Sequence, residues 1–90
     1  MWKVEYKKRF LKELSKLPEG VRAQAEKVVF EALICENPFN LGCLAQMRGF
    51  PGKYKIRIGD YRIGVTINKQ KKEIVCNRIA HRKDIYRLFP

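Results

Sequence analysis

Ninety residues carrying 20 Lys and Arg against 9 Asp and Glu have a formal charge of +11. A chain this short has room for one core, so residues 1–90 are expected to form one domain that buries only about 60–65% of its unfolded surface. No apolar run approaches the roughly 20 residues of a membrane span, and the start, Met1-Trp2-Lys3-Val4-Glu5-Tyr6, lacks the apolar stretch of a signal peptide, so the sequence reads as cytoplasmic with no membrane partner.

Residues 2–6 alternate as a strand, with Trp2, Val4 and Tyr6 on one side and Lys3 and Glu5 on the other. The period then changes. Phe10, Leu11, Leu14 and Leu17 fall at helical spacing, with Lys8, Arg9, Lys12, Glu13 and Lys16 outside. Pro18 suits the first turn of a second helix, whose buried stripe is Val21, Ala25, Val28, Val29, Ala32 and Leu33 and which Asn37-Pro38 ends. Residues 39–52 read as a loop-rich connection with a short extended piece near Leu44–Arg48. Three strands follow at Tyr54–Ile58, Tyr61–Ile67 and Glu73–Ala80, and the tail from Lys83 to Pro90 allows one short helical turn. The order β-α-α-β-β-β implies an α+β domain with a helical hairpin on one face of a mostly antiparallel sheet.

The basic charge is uneven. Residues 1–50 hold nine basic and six acidic side chains, while residues 51–90 hold eleven and three. That bias points to a polyanion, nucleic acid first. Three cysteines, Cys35, Cys43 and Cys76, and one histidine, His81, fall at no metal-ligand spacing. No metal, cofactor or disulfide framework is expected, and the cysteines read as small buried hydrophobes.

Gly59-Asp60 is a two-residue hairpin loop with glycine leading, as a type II′ turn requires. Pairing outward from it sets Arg57 opposite Arg62 and Lys55 opposite Gly64, all on one face. Tyr54, Ile56, Ile58, Tyr61, Ile63, Val65 and Ile67 share the other. The polar face is thus a cationic floor with a hole at Gly64, a mark of close approach by a ligand or another backbone. Two arginines facing across a ladder repel unless an anion lies between them. Beyond the last strand runs His81-Arg82-Lys83-Asp84-Ile85-Tyr86-Arg87. Arg82 can hold phosphate oxygens bidentately, Tyr86 can stack on a splayed base, and His81 is a candidate proton carrier.

The runs Arg48-Gly49, then Tyr54-Lys55-Ile56-Arg57-Ile58-Gly59-Asp60-Tyr61-Arg62-Ile63, then Ala80-His81-Arg82-Lys83-Asp84-Ile85-Tyr86-Arg87 resemble the RelE-type toxins of type II toxin–antitoxin systems. The resemblance extends over nearly the whole chain. It implies a toxin that cleaves messenger RNA on the ribosome without metal. The 2′-hydroxyl attacks the neighbouring phosphate and leaves a 2′,3′-cyclic phosphate. It also implies roles. Lys55 acts as base or charge stabiliser, Arg62 grips the scissile phosphate, Arg82 lies near the leaving oxygen, and Tyr86 orients the base. Arg57 stands where the family has a second lysine, so base duty falls on Lys55 or Lys53. Lys53, Arg57, His81 and Lys83 count as substrate-binding. The implied partner is a cognate antitoxin whose disordered or helical segment wraps the toxin, with DNA reached only through that complex.

Two rivals fit the same residues. A ParE-like gyrase inhibitor would share the fold but bind a protein, and a basic RNA- or ribosome-binding module would bind without cutting. The grouping of Lys55, Arg57, Arg62, Arg82 and Tyr86 favours the nuclease.

Overall fold

The computed structural model describes residues 1–90. The first strand, β1 (Lys3–Tyr6), leads into α1 (Lys8–Ser15) and α2 (Glu19–Lys27). After a short 3-10 turn at Pro38–Leu41 come β2 (Leu44–Gln46), β3 (Lys53–Ile58), β4 (Tyr61–Asn68) and β5 (Glu73–His81), then α3 (Ile85–Leu88). The five strands form one sheet in the order β1-β5-β4-β3-β2, with β1 parallel to β5 and the other neighbours antiparallel. The architecture is the expected α+β arrangement, and the extended piece after residue 43 is the edge strand β2. No helix is long and apolar enough to cross a membrane.

The alternation along β3 and β4 buries Tyr54, Ile56, Ile58, Ile63, Val65 and Ile67 under the helices, with Tyr61 half-buried at the end. Phe10 and Leu14 of α1, Ala25 of α2, and Val29 and Leu33 beyond it close the core from above. Leu11 departs from the expected stripe. It is 40% exposed, because one step of roughly 100° from Phe10 carries it off the sheet face. The cysteines divide as well: Cys76 is buried in the core, whereas Cys35 and Cys43 are only half-buried. Burial pushes the Cys76 thiol up to about 12.

The second helix does not continue unbroken to Asn37. Its α-helical part ends at Lys27, Pro18 caps it from outside the first turn, and Val28–Ala32 form a π-helical turn. Leu33 N–H donates to Val28 O at 2.9 Å, one residue beyond its α-helical acceptor, Val29. The Tyr6 hydroxyl donates to the Val29 carbonyl at 2.6 Å instead. Through this turn Val29 and Leu33 stay buried, while Phe30 and Ile34 are exposed.

The spacing of α1 predicts a solvent-facing Glu13, but its carboxylate instead turns to the edge of β5. Strand β1 covers only the first part of β5, up to Cys76. Beyond that point the Glu13 carboxylate accepts from Ile79 N–H at 3.1 Å and from the Arg78 guanidinium at 2.7–3.1 Å. It satisfies the strand edge where a neighbour is missing. The hydrogen bonds to Glu13 raise the Arg78 pKa above its ordinary value.

Candidate active site

Register builds the site. The tight turn at Gly59, with φ +57°, sets Arg57 opposite Arg62 and Lys55 opposite Gly64, as the hairpin rule predicts. Two cross-strand rows therefore run over the face away from α1 and α2. One is Ala45, Lys55, Gly64 and Arg78; the other is Arg57, Arg62 and Ala80. A bulge in β5 opposite Gly64 and Val65 keeps Arg78 in the first row while Cys76 remains in the core.

This face is not the open floor the alternation suggests. The chain end folds back over its middle, and Ile85 and Phe89 pack with Met47 and Ala80 as a second small core. The hole at Gly64 is filled by the Phe89 ring and not left for a ligand, since a Cβ there would come 2.5 Å from Phe89 Cγ. What stays open is a cleft of about 560 Å³ lined by Gly42, Cys43, Leu44, Ala45, Lys55, Arg57, Arg62 and Tyr86. Its wall at Gly42–Ala45 carries no charge and gives no sign of itself in the sequence. Burial raises the Cys43 thiol pKa, with Cys35 adding in the same direction.

Four of the expected residues converge in this cleft: Lys55, Arg57, Arg62 and Tyr86. The Lys55 ammonium donates to the Tyr86 hydroxyl and lies 4.9 Å from the ring centroid, a cation–π pairing. Tyr86 is 57% exposed, so its other face is free for a partner. Arg62 Nη1 donates to Gly59 O at 2.8 Å and Tyr61 O at 2.9 Å. Neutral carbonyls fix that fork without cancelling its charge. Neither Lys55, Arg57 nor Arg62 forms an ion pair with a carboxylate; the four ion pairs of the structure are Lys3–Glu5, Arg78–Glu13, Arg82–Asp60 and Arg87–Asp84.

The other four lie outside the lining. Lys53 donates to Thr66 Oγ1 at 3.1 Å and stands 5.9 Å from the Phe89 ring centroid. Arg82 is tied to the hairpin turn, its N–H donating to Asp60 O at 2.7 Å and its Nε lying 3.9 Å from Asp60 Oδ1. His81 packs edge-on against Tyr61, and its Nδ1 accepts from Lys83 N–H at 3.2 Å. Lys83 itself is exposed. No group of three His, Cys, Asp or Glu side chains is arranged to hold a metal ion.

The family model for the ParE toxin of type II toxin–antitoxin systems (parDE) matches residues 4–86. Toxin RelE3 of Methanocaldococcus jannaschii is 35% identical over 92 residues, spanning 98% of this chain and 99% of its own length. The chain belongs to the RelE/ParE toxin family. Solved structures place it on the RelE side. The toxin in the RelB–RelE antitoxin–toxin complex from Methanococcus jannaschii superposes with a TM-score of 0.77 at 30% identity, over 96% of this chain and 99% of that one. The intact Escherichia coli RelBE complex contains a chain that superposes at 0.69 and 28% identity, over 90% and 96%. This RelE-type toxin thus has the fold of its relatives over nearly its full length, and the cationic cleft lies within the matched residues.

Proposed function

We propose that this toxin is an endoribonuclease that cuts messenger RNA on the ribosome by attack of a 2′-hydroxyl on the adjacent phosphate. The observation that carries the reading is the convergence of Lys55, Arg57 and Arg62 in one cleft with no carboxylate paired to them. A cleft so charged favours a bound phosphodiester, and most of all its doubly charged transition state. The O2′–P bond forms as the P–O5′ bond breaks, giving a 2′,3′-cyclic phosphate and a 5′-hydroxyl. The Lys55 ammonium stabilises the 2′-oxyanion as its proton passes to water, and water protonates the departing O5′. Arg57 and Arg62 hold the phosphate oxygens, and Tyr86 stacks on a base to set the line of attack. Arg82, anchored beside the turn that orients Arg62, supplies charge to the departing oxygen. Arginine is a poor proton donor at neutral pH, so its part is electrostatic. Lys53, His81 and Lys83 make the outer substrate contacts, and no step passes through a metal.

The partner in this reading is a RelB-like antitoxin, the kind of chain present in the relatives' complexes. An acidic segment suits a toxin of charge +11. A gyrase-inhibiting activity is the second reading, favoured by the ParE description of the matching family model.

Incubation with translating ribosomes, followed by primer extension and end-group analysis, tests the proposal. Cuts within codons and cyclic-phosphate ends are expected, and Arg62→Ala should abolish cutting while ribosome binding persists. Inhibited gyrase supercoiling with intact message would select the second reading.

A further inference from the structure

Gly64 is not required by its backbone, since it is absent from the positive-φ positions of the chain. It is required by space. The Phe89 ring occupies the room where a side chain would stand, with Cγ 2.5 Å and Cε2 2.9 Å from an added Cβ. Phe89 is 5% exposed, its N–H donates to Ile85 O at 2.8 Å, and Arg78 Nη1 reaches the preceding carbonyl, Leu88 O, at 3.5 Å. Ile85 is buried as well, at 1% exposure, so α3 stands on two buried feet with exposed Tyr86 between them. A helix of four residues has no stability of its own. Its placement comes from those feet.

We infer that Phe89 seated on Gly64 is the positioning element for Tyr86, holding α3 so that the Tyr86 ring stays over Lys55 at the cleft. The seating stands on geometry; its consequence for cleavage rests on the ribonuclease reading. Ordinary packing needs no such exchange, because a side chain on β4 would fill the space directly. Emptying the strand position and refilling it from the chain end ties the cationic hairpin to the aromatic it works with.

The test uses the full chain with Phe89→Ala, the milder Phe89→Leu, and Gly64→Ala, which attacks the same contact from the sheet. Phe89→Ala and Gly64→Ala should each lower cleavage by roughly 10- to 100-fold, and Phe89→Leu by less. In a Tyr86→Ala background Phe89→Ala should cost nothing more. An equal loss in both backgrounds means ordinary structural support and overturns the inference. A second readout does not depend on activity. With fluorotyrosine incorporated and residue 86 assigned through Tyr86→Phe, its resonance should respond to Lys55→Met in the parent chain and lose that response in Phe89→Ala and Gly64→Ala. A response that survives in both overturns the inference. A parent chain that cuts no RNA yet shows the expected resonance behaviour removes the nuclease reading and leaves this one supported.

Discussion

Arg57 on β3 faces Arg62 directly across the ladder on β4, and neither guanidinium is paired with a carboxylate. Like charges so placed destabilise the hairpin unless an anion joins them. Arg57→Thr should therefore raise stability by about 0.2–1 kcal/mol in urea denaturation. The same variant should bind a single-stranded RNA oligonucleotide more weakly and with a smaller dependence on salt, by about one phosphate contact. Unchanged salt dependence would argue against a phosphate between them.

Tyr86 offers an exposed ring whose inner face is taken by Lys55. Tyr86→Ala should weaken substrate handling by about 1–3 kcal/mol, the worth of one base–aromatic stack. Tyr86→Phe, which keeps the ring, should retain most of it. Single-turnover cleavage across RNA concentrations measures both, and an alanine variant as active as the parent would remove Tyr86 from the site.

Glu13 answers two donors of β5 at once, Ile79 N–H and the Arg78 guanidinium, in a pair whose side chains are 25% and 17% exposed. Glu13→Ala strands both and should cost about 2–4 kcal/mol in denaturant unfolding. Glu13→Gln keeps an acceptor for the backbone and should cost less. Equal losses would show that charge alone matters there.

The Cys76 thiol titrates at about 12 because it is buried, above the ordinary thiol value. Its folded-state pKa is raised, so its contribution to stability is complete below the unfolded value and is lost as pH rises toward the folded one. Burial shifts Tyr6 in the same direction. Stability should fall between about pH 9 and 12, by up to about 4 kcal/mol for Cys76. Cys76→Val should flatten that part of a denaturation-versus-pH curve. In the native protein at neutral pH a thiol reagent should reach Cys35 and Cys43 before Cys76.

The hairpin was legible because a two-residue turn with glycine leading fixes every pairing above it, so the Arg57–Arg62 and Lys55–Gly64 partners followed from counting. The core face of β3 and β4 followed from strict alternation. Other features had no local signal. Gly64 announces room without saying who fills it, and Phe89, 25 positions on, carries no mark of its destination. The uncharged wall at Gly42–Ala45 lies in a stretch without period. Glu13 reads as a solvated helix residue because the vacant edge of β5 exists only once the strands assemble. The wide turn at Val28–Ala32 leaves Val29 and Leu33 on the buried side where the 3.6-residue count puts them, so the count carries no trace of it.

That carboxylate at the β5 edge also governs how the molecule behaves in company. A sheet recruits foreign chains through rows of unused backbone groups. Here one flank ends in the three residues of β2, and the other begins with four residues bearing the charges of Lys3 and Glu5. Past those four, Glu13 has already claimed the Ile79 N–H, a donor an incoming strand would seek. The fold therefore offers little purchase for edge-to-edge aggregation, and losing Glu13 would return the Ile79 N–H to the exposed edge.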